Sequence, residues 1–162
     1  IGSASLRLPD GAVVAAVVAV NAYGGVYDYQ TGRLMAGPRL ADQGGFEDPM
    51  DILLQDNGNQ EAPPMTNTTI GLVATDAGLS KVEVNHLAGL SHDGLALTIR
   101  PCHTLRDGDT MFAMATGRGP ATSDLTALGA AAVEVTARAV LRAAKTATGL
   151  GGVPSISEIA HG

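Results

Sequence analysis

Met65-Thr66-Asn67-Thr68-Thr69-Ile70-Gly71-Leu72-Val73-Ala74-Thr75-Asp76 joins a loop rich in proline, glycine and acid to a β-branched run. Thr68 to Thr75 reads as a strand, closed by Asp76-Ala77-Gly78. The junction Asn67-Thr68 places a hydroxyl one residue after a peptide carbonyl. If that hydroxyl attacks the carbonyl of Asn67, an ester forms, and its hydrolysis leaves Thr68 as a new N-terminus. The residue would then carry a nucleophilic hydroxyl beside a free amine able to act as its general base. An α-amino group titrates at about 7.7–8.0, far nearer neutrality than a lysine. The dipeptide alone is weak: most Asn-Thr pairs are ordinary loop residues, and Asn67-Thr68-Thr69 also fits the glycosylation pattern of secreted chains.

Upstream, Ser3 to Leu8 alternates small or polar with apolar residues, as a half-buried strand does, and Pro9-Asp10-Gly11 makes a turn. Ala12 to Val20 is continuously apolar and reads as a central strand covered on both faces. It ends at Asn21, before Gly24-Gly25, where an asparagine serves either as a turn former or as a polar group at the mouth of a site. From Tyr27 to Pro64 regular patterning dissolves among prolines, glycines and acids, with one short helical turn over Met50 to Leu54. A loop of this length is commonly functional or a linker.

Downstream, Ser80 with Glu83 has capping-box spacing and opens a helix to about Ile99 or Arg100, where Pro101 stops it. Val84, Leu87, Leu90, Gly94, Leu95 and Leu97 form its apolar face, while His86 and His92 read as partnered or surface histidines. Cys102 and His103 are adjacent; on an extended chain they point to opposite faces, so the thiol reads as buried and inert. Arg106-Asp107-Gly108-Asp109-Thr110 is a turn signal before a strand over Met111 to Thr116. Alternatively, Asp107 and Asp109 project to one side of the strand entrance as a carboxylate pair able to orient a hydroxyl and an amine. No further ligand motif accompanies them, so neither a metal nor a cofactor is expected. Ser123-Asp124 caps a second helix running to about Thr148, with Arg138, Arg142 and Lys145 toward its negative end. Gly151 to Gly162 reads as a mobile tail or exchange arm.

The 162 residues suffice for one domain with a core. The sequence begins at Ile1, inside a strand-like run, and reads as a piece of a longer protein. Aromatic content is 3% and tryptophan is absent, so aliphatic residues and Met must build the core. A net charge of −6 without a Lys/Arg cluster argues against nucleic acid or an anionic membrane as partner. The lone Cys102 excludes an internal disulfide and fits a reducing compartment, and no apolar run is long enough to span a bilayer. A cytoplasmic domain is the expectation.

Several motifs in order resemble one family: Asn67-Thr68-Thr69-Ile70, Ser91-His92-Asp93-Gly94-Leu95-Ala96, Ile99-Arg100-Pro101-Cys102-His103-Thr104 and Asp107-Gly108-Asp109-Thr110. Gly2 to Ser5, Val18 to Ala22 and Ala127 to Ala130 add to the likeness. The chain resembles the L-aminopeptidase/D-esterases, β-peptidyl aminopeptidases and nylon-oligomer hydrolases, which are self-processing N-terminal-nucleophile hydrolases. The resemblance implies an α+β fold, a four-layer αββα sandwich, in a precursor that cuts itself between Asn67 and Thr68. Residues 1–67 would then be the end of the first (alpha) subunit, with loop 27–67 leading to the cut, and 68–162 the second (beta) subunit. The N-terminal half of the domain would lie outside this sequence, together with a lysine near the site and much of the substrate pocket. Thr68 would be the nucleophile, Asn21 a donor to the oxyanion, and Asp107 and Asp109 the groups that orient the Thr68 amine and hydroxyl. Homo-oligomers of alpha/beta pairs would follow.

The aminopeptidase branch usually has a serine nucleophile, with serine and glutamate where this chain has Asp107 and Asp109. Thr68 with two aspartates looks more like the nylon-oligomer branch. The expected function is amide or peptide hydrolysis of the aminopeptidase kind on a small peptide or amide. The alternatives are endo-hydrolysis of 6-aminohexanoate oligomers by the same mechanism, acyl transfer to an amine, and a catalytically dead binding homologue.

Overall fold

The computed structural model describes residues 1–40, 45–55, 67–119 and 124–159. Strands β1 (Gly2–Arg7), β2 (Val13–Ala19), β5 (Ile70–Thr75) and β7 (Thr110–Ala115) form one sheet in the order β1-β2-β5-β7. β3 (Gly25–Tyr27), β4 (Leu34–Ala36) and β6 (Ile99–Arg100) form a small second sheet in the order β4-β3-β6. The helices are α1 (Pro49–Gln55), α2 (Lys81–Thr98), α3 (Leu125–Thr146) and α4 (Ile156–Ile159). The mixture is the α+β class expected, and the short helix over 50–54 is present.

β1, β2 and β5 pair antiparallel, whereas β5 and β7 run parallel. Parallel neighbours need a long crossover, and α2 supplies it. Ser80 caps that helix with both bonds of the expected capping box: its side chain accepts from Glu83 N–H, and the Glu83 carboxylate accepts from Ser80 N–H at 2.7 Å. The helix ends at Thr98 rather than in the next two residues, because Ile99 and Arg100 are taken as strand β6 by β3. α3 is capped by Asp124, whose carboxylate accepts from Thr126 and Ala127 N–H; Ser123 lies outside the described residues. At the chain's end α4 is a short helix, and 160–162 lie outside the description.

Val14, Ala16, Val18, Val73 and Met111 face α2 and α3, meeting Leu87, Leu95, Leu128, Val135 and Val140 in one core. At about 25 cal/mol per Å² of apolar surface, this burial is the main stabilising term. The opposite face of the sheet departs from expectation. By register Val17, Leu72 and Phe112 form a row across three strands, and Val17 and Phe112 are 43% and 56% exposed. Ile70 and Met114 are exposed with them. β2 is therefore covered on one face among the described residues, not on both. Leu97 is a second departure, being exposed at the helix end.

The two long helices approach closely at Gly94, where an added Cβ would sit 2.6 Å from both Thr136 Cβ and the Val133 carbonyl oxygen. Gly89, on the same helix, faces open space. The two glycines should respond oppositely to alanine. Gly89→Ala gains helix propensity, raising stability by up to about 1 kcal/mol. Gly94→Ala sets the same gain against overpacking of about 1–3 kcal/mol and should be a net loss. Urea midpoints of the two variants check this.

Candidate active site

Parallel pairing places the N-terminal ends of β5 and β7 together, and the ladder continues beyond both strands. Gly108 N–H donates to the Asn67 carbonyl oxygen at 3.0 Å and Thr110 N–H to that of Thr69 at 2.9 Å, with Asn67 and Asp107 forming a parallel bridge. On its other side the segment meets the exit of β2, where Thr68 N–H donates to the Asn21 carbonyl oxygen at 2.8 Å. The Asn67 amide adds a bond to the Ala22 carbonyl oxygen at 3.2 Å. The Asn67-Thr68 peptide is thus clamped between two neighbours. Strand alternation puts buried Thr69 on the helix-facing side and Thr68, with Ile70 and Leu72, on the open side.

The Thr68 hydroxyl donates to the Asn67 carbonyl oxygen at 2.6 Å. The carbonyl that would have to be attacked therefore has the nucleophile on it, along with the Gly108 N–H. The two aspartates flank this point. Asp109, whose side chain is 2% exposed, accepts from Thr69 N–H at 2.8 Å through Oδ1 and from His103 N–H at 3.3 Å through Oδ2. Asp107 accepts from Tyr23 N–H at 3.2 Å through Oδ1, and from Thr104 N–H and hydroxyl at 3.1 and 2.7 Å through Oδ2. Both carboxylates thus knit the segments after β2, before β5 and before β7 into one junction. All five residues singled out in the sequence, Asn21, Asn67, Thr68, Asp107 and Asp109, are brought together here. The Thr68 N–H is directed at Asn21 and its hydroxyl at Asn67, while Asn21 meets Thr68 through its backbone carbonyl.

Sequence reasoning missed the groups behind the aspartates. His103 Nε2 lies 3.8 Å from Asp109 Oδ2 and 2.9 Å from His92 Nδ1, the two rings meeting edge-on. Cys102 Sγ lies 3.4 Å from His103 Nδ1. The expectation that these neighbours diverge fails because His103 has φ 55°, outside the extended region. The thiol is nonetheless held in its protonated form: burial pushes its pKa up, as do the charges of Asp109 and Asp107. A thiolate nucleophile is thereby disfavoured. Arg106 donates to the Tyr23 hydroxyl and lies over its ring. Position alone reveals these groups; no sequence spacing signals a contact between a helix residue and a loop residue eleven apart.

Burial, then the neighbouring His103, lowers the His92 pKa, opposed by Asp109 and Asp93. The folded chain therefore holds His92 neutral to lower pH than the unfolded chain does. This contribution is complete above about 6.5, the ordinary value, and is lost as pH falls from there through the lower folded value. The drop in melting temperature between pH 7.5 and 5.5 should accordingly be smaller in His92→Gln than in the parent protein.

Solved structures with this architecture define the class. The L-aminopeptidase D-Ala-esterase/amidase from Ochrobactrum anthropi, described as a new variant among the Ntn hydrolase fold, matches with TM-score 0.63 at 19% identity, over 94% of this chain and 42% of that one. A β-aminopeptidase from Burkholderia sp. matches with TM-score 0.56 at 24% identity, over 88% and 40%. The fold is of the N-terminal-nucleophile-hydrolase type. A model of Peptidase family S58 matches residues 1–155, and the chain belongs to that family. It is 41% identical over 169 residues to an uncharacterized aminopeptidase of Mycobacterium leprae, covering 96% of this chain and 46% of that protein. It is 37% identical over 158 residues to a 6-aminohexanoate-oligomer endohydrolase of Kocuria sp., covering 89% and 44%. The chain spans about half the length of these relatives.

Proposed function

We propose that this chain is part of a self-processing amide and peptide hydrolase, cut between Asn67 and Thr68, whose nucleophile is the N-terminal Thr68 so released. The observation that carries the reading is the 2.6 Å contact from the Thr68 hydroxyl to the carbonyl of the bond to be cut. In the cut, Thr68 Oγ bonds to the Asn67 carbonyl carbon, the C–N bond breaks, and the hydroxyl proton ends on the departing amine. Water then hydrolyses the ester, giving an Asn67 carboxylate and a free Thr68. Residues 1–67 belong to the first subunit and 68–162 to the second, and the two stay paired through the β2–β5 ladder. The partner is the remaining part of the same precursor, in an oligomer of such pairs.

For turnover, the Thr68 amine takes the hydroxyl proton as the hydroxyl attacks a substrate amide. Asp109 and Asp107 orient the amine and hydroxyl, and the Asn21 side chain donates to the oxyanion. The reaction is removal of N-terminal residues from small peptides or amides. Endo-hydrolysis of 6-aminohexanoate oligomers is the second reading, favoured by Thr68 with its aspartate pair and by the 37% identity to an endohydrolase of such oligomers.

Intact mass and N-terminal sequencing of the purified full-length protein test the cut. A fragment beginning Thr-Thr-Ile-Gly-Leu is expected from the parent, and a single uncut, inactive chain from Thr68→Ala. Ordinary processing of Thr68→Ala would sink the nucleophile assignment, and an uncut parent would return weight to a binding homologue. Asp109→Ala should slow cleavage or turnover of a p-nitroanilide by about 10²-fold or more while the protein stays folded. Parent rates in that variant would leave Asp109 a purely structural group.

A further inference from the structure

Gly108 is the residue between the two aspartates, and two independent features single it out. Its N–H donates at 3.0 Å to the Asn67 carbonyl oxygen, the same atom on which the Thr68 hydroxyl rests at 2.6 Å. Its missing side chain leaves the room that hydroxyl occupies: a Cβ at 108 would stand 2.7 Å from Thr68 Oγ1, against 3.6 and 3.7 Å from its Cγ2 and Cβ. The hydrogen bond is also part of the parallel ladder, so its direction is set by the pairing of β5 with β7 rather than by a side-chain rotamer. A backbone donor fixed in this way is already in place before charge develops on the oxygen it faces.

We infer that the backbone N–H of Gly108 is the oxyanion donor for cleavage of the Asn67-Thr68 bond, and that position 108 must be glycine for the Thr68 hydroxyl to reach its target. This rests on the self-processing reading and adds a catalytic group to it. When Thr68 Oγ bonds to the Asn67 carbonyl carbon, the carbonyl π pair moves onto oxygen, and the hydroxyl hydrogen bond to that oxygen is given up. Gly108 N–H is the donor that remains, and it faces the negative charge. As the C–N bond breaks, the charge returns to the carbonyl of the ester. The Asn21 side chain, assigned above to turnover, is a different donor, in the segment after β2 rather than before β7, so the two reactions would use separable groups.

The deciding experiment replaces the Gly108 amide by an ester, with glycolic acid at 108 in the otherwise unchanged full-length protein, which exchanges the N–H for an oxygen and adds no bulk. Cleavage is followed by intact mass against time, with a thermal melt as the check of folding. The ester form should cut about 10²–10³-fold more slowly than the parent, the range for loss of one such donor. Gly108→Ala should also cut more slowly, with most of the hydroxyl displaced. Because alanine keeps the N–H, this variant tests the requirement for glycine at 108, and it does so even if the ester form does not fold. A folded ester form that cuts at the parent rate overturns the donor assignment while leaving self-processing intact, and Gly108→Ala cutting at the parent rate overturns the requirement for glycine. A parent protein that never cuts overturns the underlying reading instead.

Discussion

The parallel register between β5 and β7 is the constraint on which the rest depends. Gly71 opposite Met111 and Val73 opposite Ala113 are core pairs, and the same register, carried a few residues back, sets Asn67 against Asp107. A slip of one residue would turn every core side chain of a strand toward the open face. The packing of Val73 and Met111 beneath α2 and α3 therefore fixes the site to the same precision as the core. The crossover helix is part of this constraint, because without α2 the two strands could not run side by side in the same direction. Its close contact with α3 at Gly94 holds the crossover down on the sheet.

Much of this was legible in the sequence because it is local. The strands, the two long helices and the capping box each have a signature within a few residues: alternation, periodicity, and a Ser three residues before a Glu. The convergence of Asn21, Thr68, Asp107 and Asp109 became legible through resemblance to a family. From spacing alone, Asp107-Gly108-Asp109 was equally a turn, and Asn21 equally the end of a strand. What stayed hidden depends on backbone detours and on layers. His103 turns back toward Cys102 through a positive φ, and a continuous apolar run such as Ala12 to Val20 does not say how many of its faces are covered in this chain. Beside the short helix that was expected there, the region that looked patternless also holds β4, and β3 leads into it. Tyr27 of β3 donates to Asp48, just ahead of α1, at 2.6 Å, a contact across twenty-one residues that composition does not reveal.

The junction is held mostly by charge-assisted and backbone hydrogen bonds rather than by apolar packing. Among the described residues, Asp107 and Asp109 together accept five such bonds from three segments. Bonds to carboxylates are shorter and stronger than neutral ones, and each aspartate is shared between segments that are far apart in sequence. A group that joins segments and flanks the proposed nucleophile would serve rigidity and chemistry at once, which is why substitutions there need a folding control beside a rate.

The open face of the sheet has a bearing on timing. Thr68 shares that face with Ile70 and Leu72, in line with the exposed row of Val17 and Phe112. Any layer stacked there both removes apolar surface from water and lowers the dielectric around the Thr68 hydroxyl, strengthening every hydrogen bond at the junction. Under the proposed self-cleavage, completing the architecture and arming the bond would then be one event. Cleavage would act as a checkpoint, reporting that the sheet had found its cover, and a chain lacking that cover would keep its peptide bond.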